Sequence, residues 1–297
     1  MAADMLLAPE APYEDDDVEH LQDPFEAVAR EYLDPETARR WLALGRPTVE
    51  LVGGEGPVVA RLGGVPHLPA GTPWPHWEGH GPLAFVGEVD LAALAAAGLR
   101  TGIELPTTGR LLAFHWDGEV DDFETLVGCW DPATAAGAVL LHVAAGRDTC
   151  PPTQVPEPLE SWTEVELTGR QAMSYPASDH PAVSLEFGVG PVDDHPVTNE
   201  DFEDEVMTLQ IAQASHRLGG YTLPDQGPTE FEVMAFKGLS AEGEDGDREA
   251  VRWHNLLQVG SDDATGMCWG DEGKLYWMTR PDAEEPVADA GFTWQCA

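Results

Sequence analysis

The sequence predicts an α+β protein, mainly antiparallel β-sheet with a few helices, built from two related halves. Three observations carry this expectation. Short apolar runs of strand-forming residues, such as 256–259 and 275–277, flank Gly- and Asp-containing connections, the pattern of paired buried strands. Arg61-Leu62-Gly63-Gly64, residues 83–90 and residues 109–114 recur in the same order as Arg217-Leu218-Gly219-Gly220, residues 256–261 and residues 273–278. A kept order of turn and strand signals implies duplication, and the acidic stretch 240–249 reads as an insertion in the second copy. The best helical pattern is residues 199–216, where acids crowd the first turn and Phe202, Val206, Leu209 and Gln213 share a face. His216 then falls at its C-terminus, where the helix dipole favours a cation.

Taken in order, residues 1–23 read as a disordered acidic tail, since Glu14-Asp15-Asp16-Asp17 sit among few apolar anchors. Residues 24–46 read as a helical pair, the second member started by Asp34-Pro35 and ended by Gly45. Residues 48–52 and 58–62 read as strands around a tight reversal at Gly53-Gly54-Glu55-Gly56. That glycine cluster fails the dinucleotide fingerprint, because Pro57 follows and no helix opens after it. Residues 63–82 form a Gly/Pro-rich loop whose aromatics are expected to pack down. A strand at 83–89 leads to Asp90, which caps a short helix at 91–97. A strand at 110–116 closes in a turn at His115-Trp116-Asp117-Gly118, and another lies at 139–143. The prolines at 151, 152, 156 and 158 mark a crossing that divides the first half, 47–150, from the second, 151–297. A strand is expected at 163–167 and a loop at 175–196 with one apolar patch, 183–187.

Composition excludes several classes. With 54 acidic against 15 basic side chains the chain carries a net charge of −39, so phosphate backbones repel it and nucleic acid is not an expected partner. Basic proteins and cations are the partners this charge favours. No apolar run approaches a membrane span and no secretory leader precedes the fold, so no membrane is expected and a cytoplasmic location is predicted. Cys129, Cys150, Cys268 and Cys296 lack CxxC spacing and read as reduced thiols, with no structural zinc site and no cofactor implied.

Motifs for chemistry are sparse. His76-Trp77-Glu78-Gly79-His80 misplaces the glutamate of a zinc helix and breaks the helix with glycine and a preceding proline, so no metal site is expected. Asp262-Asp263 fails the calcium-loop spacing. The polar connection holding Asp262, Asp263, Trp269, Gly270 and Asp271 reads first as turn chemistry, with Trp269 buried and the Asp271 carboxylate accepting backbone amides.

The ordered motifs LGG-x-P-x-LP at 62–69, TPWP at 72–75, PLAFVGEVDL at 82–91, LP-x-x-G-x-L at 105–111, H-x-LGGY at 216–221, LLQVGSDD at 256–263, WGD-x-G-x-LY at 269–276 and Trp294-Gln295-Cys296 together resemble the YwqG-like family, DUF1963. The resemblance covers residues 47–297. It implies the fold but no reaction, and where its members tend to carry an amide this chain has Glu88. Such proteins look like those encoded near secreted bacterial toxins, which implies a non-catalytic module that binds a protein partner, an immunity-type inhibitor steered by its acidity onto a basic toxin. The alternative is a hydrolase or small-molecule binder with an acidic site in the groove between the halves. The candidate ligand-binding residues are Glu88, Asp90, His216, Gln258, Asp262, Asp263, Trp269 and Asp271.

Overall fold

The computed structural model describes residues 23–128 and 131–297, so most of the acidic tail and Cys129 lie outside the described residues. Among the described residues two helices come first, α1 (Asp23–Tyr32) and α2 (Pro35–Leu42), and the Asp34 carboxylate caps the second by accepting the amides of Glu36 and Thr37. Twelve strands follow: β1 (Arg46–Val52), β2 (Val58–Leu62), β3 (His76–Trp77), β4 (Gly81–Pro82), β5 (Ala84–Asp90), β6 (Arg110–His115), β7 (Ala138–Val143), β8 (Val165–Ser174), β9 (Arg217–Gly219), β10 (His254–Gly260), β11 (Lys274–Thr279) and β12 (Gly291–Gln295). Between them lie α3 (Leu91–Ala96), α4 (Pro181–Phe187), α5 (Glu200–Ile211), α6 (Thr229–Phe236) and α7 (Gly243–Ala250). The fold is thus α+β around a large antiparallel sheet.

Ten strands form that sheet in the order β12-β11-β10-β9-β1-β8-β2-β5-β6-β7, while β3 and β4 pair separately. The order has the same connectivity from either edge when β1, β2, β5, β6 and β7 are matched with β8, β9, β10, β11 and β12. The two central strands cross over: β1 pairs with β9, and β8 with β2. This corrects the reversal expected at Gly53-Gly54-Glu55-Gly56. β8 inserts between β1 and β2, so the glycines span a neighbour and do not close a two-stranded hairpin.

Several helices differ from expectation. The pattern at 199–216 yields only α5, capped by the Asn199 side chain accepting the Phe202 amide and ending at Ile211. His216 therefore precedes β9 and does not sit at a helix C-terminus. The patch at 183–187 is α4, whose signals were local: His180 caps it, Pro181 opens it and Gly188 leaves it in a left-handed turn. The acidic stretch at 240–249 contains α7, and α6 had no clear periodic face.

The sheet curls back on itself. His115 at the end of β6 lies 5.2 Å from the ring of Phe292 on β12, although the two strands stand near opposite ends of the order. One core runs through this curl, joining Leu112, Phe114 and Trp116 to Leu256, Trp277 and Phe292. A second core ties α1 and α2 to the far side, where Trp41 stacks on Tyr175 at 4.4 Å and meets Phe202 edge-on at 5.1 Å. Among the described residues no helix is long and apolar enough to cross a membrane.

Candidate functional site

The curl leaves a cavity of about 240 Å³ between the two ends of the sheet. Residues 115–118 at the end of β6 and Phe123, Leu126 and Val127 close one side, Trp162 ahead of β8 forms another, and Gly266, Cys268, Trp269, Gly270, Leu275 and Trp294 complete it. Four indoles therefore share one concave wall. Trp162 and Trp269 meet edge to face, their rings 5.5 Å apart at 77°, so the aromatic surfaces enclose the space from two nearly perpendicular planes.

Local chemistry explains how the wall is held. The Trp116 indole donates to the Thr125 carbonyl at 3.2 Å and the Trp294 indole to the Val127 carbonyl at 2.9 Å, which fastens the 118–127 segment across the mouth. That segment carries Asp122 and Phe123 at φ 55° and 61°, conformations that non-glycine residues seldom adopt and that the fold must hold in place. Phe123 and Leu126 stand 61% and 51% exposed on the rim, an apolar lip on an otherwise acidic surface. Gly270 sits at φ 62°, where an added Cβ would lie 3.0 Å from the Cys296 sulfur and 3.1 Å from the Trp294 ring, so only glycine lets that indole approach.

His115 is the unusual group of the wall. Its ring edge contacts Trp269 at 5.7 Å, and both ring nitrogens are buried without a hydrogen-bond partner. Burial pushes its pKa down to about 3, so the imidazole stays neutral at ordinary pH. The Trp269 indole nitrogen is likewise buried and unpartnered, while Trp269 itself is 6% exposed, as expected from the sequence.

The residues expected from the sequence fall in different places. Glu88, 3% exposed, accepts from Arg110 at 2.6 Å and Arg147 at 2.9 Å, with Arg61 at 3.8 Å; Arg110 is fully buried. This is a buried ionic cluster whose outer arms reach Glu164 and Glu166. Asp90 caps α3 through the Ala93 amide. Gln258, fully buried, accepts the Leu223 amide and donates to the Ser215 carbonyl. Arg61 pairs with Glu88 across β2 and β5, and Arg217 with Gln258 across β9 and β10, so Gln258 holds opposite Arg217 the ladder place that Glu88 holds opposite Arg61. The sequence matching of residues 83–90 with 256–261 is therefore three positions out of register with the ladders.

His216 and Asp262 do meet, Nε2 to Oδ2 at 3.4 Å. Nδ1 of His216 accepts the Gly260 amide at 3.2 Å, which leaves its proton on Nε2, facing the carboxylate. Burial lowers the His216 pKa against the pull of Asp262. Partial burial would raise the Asp262 pKa, but the Thr265 amide and His216 outweigh it and hold it low. Such a histidine has no lone pair left to take a substrate proton, and Asp262 is occupied in closing the turn to Thr265 and Met267. Asp263 is exposed. Asp271 is exposed as well, and its backbone carbonyl accepts the Ala297 amide at 3.2 Å, so the amide-accepting carboxylate expected there is not what the turn uses. Of the eight expected residues only Trp269 lines the cavity. The groups that sequence reasoning missed are His115, Trp116, Phe123, Trp162 and Trp294, whose signal was the density of aromatics at the ends of strands and in the loops beside them. Among the described residues no cluster of His, Cys, Asp and Glu is arranged to hold a metal ion.

Fold and site together define a curled antiparallel α+β protein with an aromatic-walled cavity between its two sheet ends. The family model described as "Domain of unknown function (DUF1963)" matches residues 60–296, and the chain belongs to that family. No curated protein matches it.

Proposed function

We propose that this protein is a non-catalytic recognition module that binds a basic protein partner and takes one of its side chains into the cavity between the halves. The observation that carries this reading is the cavity itself, four indoles with an apolar lip of Phe123 and Leu126 on a chain of net charge −39. Exposed apolar residues that rim a concave site anchor a partner, while a one-signed surface accelerates and orients the encounter. The commitment of His216 and Asp262 to the turn, and of Glu88 to its arginines, weighs against the hydrolase alternative. A small-molecule ligand is the second reading, favoured by the enclosed shape. An inhibitor of a basic toxin is the partner relationship we favour, in the cytoplasm, where the free thiols of Cys150, Cys268 and Cys296 would stay reduced.

We also propose that the halves descend from one duplicated unit whose first strands have exchanged places. The matched strand order, the Arg61 and Arg217 ladder pairs, and left-handed Gly63-Gly64 and Gly219-Gly220 at matching strand ends support it.

The test of function is capture of a basic partner by the wild type and by Phe123→Arg/Leu126→Arg. Both positions are exposed, so the fold should persist while a basic partner is repelled. Retention should fall at least about tenfold, and more at low salt than at high. Unchanged retention, or a neutral small molecule as the one saturable ligand, would overturn the proposal.

A further inference from the structure

Resting on the reading of the cavity as the recognition site, the geometry points to its ligand class: we infer that it is a cage for a guanidinium group, an arginine side chain of the basic partner. The walls argue for a cation. Trp116, Trp162, Trp269, Trp294 and Phe123 supply π faces, and no lysine or arginine is among the lining residues. The ring quadrupole places negative potential on those faces, and a cation within about 6 Å of a ring centroid is attracted, more strongly when water is excluded. His115 adds no opposing charge, since it remains neutral at ordinary pH. Asp117, itself already partnered, adds a carboxylate to the same wall.

The choice of arginine over lysine rests on shape and hydration. A guanidinium is planar, stacks on aromatic faces and gives up water more readily than an ammonium, which suits an enclosure set by two perpendicular indoles. The chain uses the same contact internally: Arg46 lies 4.1 Å above the Tyr221 ring and Arg40 4.6 Å above Phe187. Long-range charge brings a basic partner close, and the cage then selects the side chain that enters.

The experiment compares two blocked tripeptides that differ only in charge, acetyl-Gly-Arg-Gly-amide and the same peptide with citrulline in place of arginine. Binding is followed by tryptophan fluorescence and by indole N–H NMR signals at physiological salt, where surface attraction is screened beyond about 8 Å. The arginine peptide should bind at least about twofold more tightly, the lower end of a cation–π contact. Trp162→Leu, at a partly exposed wall position, should remove that preference while leaving the fold intact by circular dichroism. Equal or tighter binding of the citrulline peptide, or a preference that survives Trp162→Leu, would overturn the guanidinium inference and leave the cavity reading in place. Absence of any indole response to either peptide, with partner retention also insensitive to Phe123→Arg, would overturn both.

Discussion

His115 shows most plainly how one residue's surroundings set its chemistry. Its two ring nitrogens are buried and unpartnered between Trp269 and Phe292, so the folded protein refuses a proton that the unfolded chain accepts below about pH 6.5. With a folded pKa near 3, the stability it permits is fully present above about pH 6.5 and is lost as pH falls from there toward 3. Each unit of that fall removes about 1.4 kcal/mol for one such group. His115→Phe keeps a ring in the same contacts and removes the titration. We expect the variant to match the wild type at pH 7.5 to within about 1 kcal/mol and to lose stability less steeply between pH 6 and 4, as read from urea unfolding at each pH. Parallel slopes for the two proteins would mean that His115 is protonated when folded. None of this was legible from His115-Trp116-Asp117-Gly118, which as a sequence says only that the chain turns. Whether a histidine keeps or loses water is decided by rings contributed from residues 269 and 292, far along the chain.

At the scale of elements, local signals were readable wherever they sufficed. Asp34-Pro35 and Asp90 mark the helix starts that they cap, and the strands β10 and β11 lie where their apolar runs placed them. Pairing was less legible. Gly53-Gly54-Glu55-Gly56 permits a hairpin, yet the ladder between β1 and β8 is the longer alternative, with seven matched pairs, and it wins the position beside β1. Helix α6 was missed because its burial comes from the sheet it covers and not from a periodic face of its own, and α7 because it lies in an acidic stretch with few apolar residues. The turns after β2 and β9 give the element-scale prediction. Gly63 and Gly219 sit at φ 68° and 72°, and an added Cβ would stand 2.2 Å from the Thr163 carbonyl oxygen and 2.1 Å from that of Thr101. Both contacts are with backbone, which cannot rotate away. Gly63→Ala and Gly219→Ala should each destabilise by about 2 kcal/mol or more in thermal unfolding, through strain and displacement of the crossing chain. A harmless substitution at either site would show that the two turns are not equivalent.

For the molecule as a whole, the sequence pointed to a groove as the place for a site, and of the residues it named Trp269 alone lines the cavity. Carboxylates drew attention because acids are abundant. Glu88, Asp90 and Asp262 are instead consumed by an ionic cluster, a helix cap and a turn, while the cavity brings Trp116 and Trp162 together with Trp269 and Trp294, more than a hundred residues further along the chain. Long-range closure of the sheet is what brings Trp116 and Trp294 to one wall, and no local periodicity encodes it. The central claim is that partner recognition happens at this wall, and the indole N–H signals test it directly. On adding the captured basic partner, the resonances of Trp116, Trp162, Trp269 and Trp294 should shift or broaden, while those of Trp41 and Trp253, in the other two clusters, stay in place. A partner that binds stoichiometrically and moves Trp41 or Trp253 while the four cavity indoles remain unchanged would contradict the account.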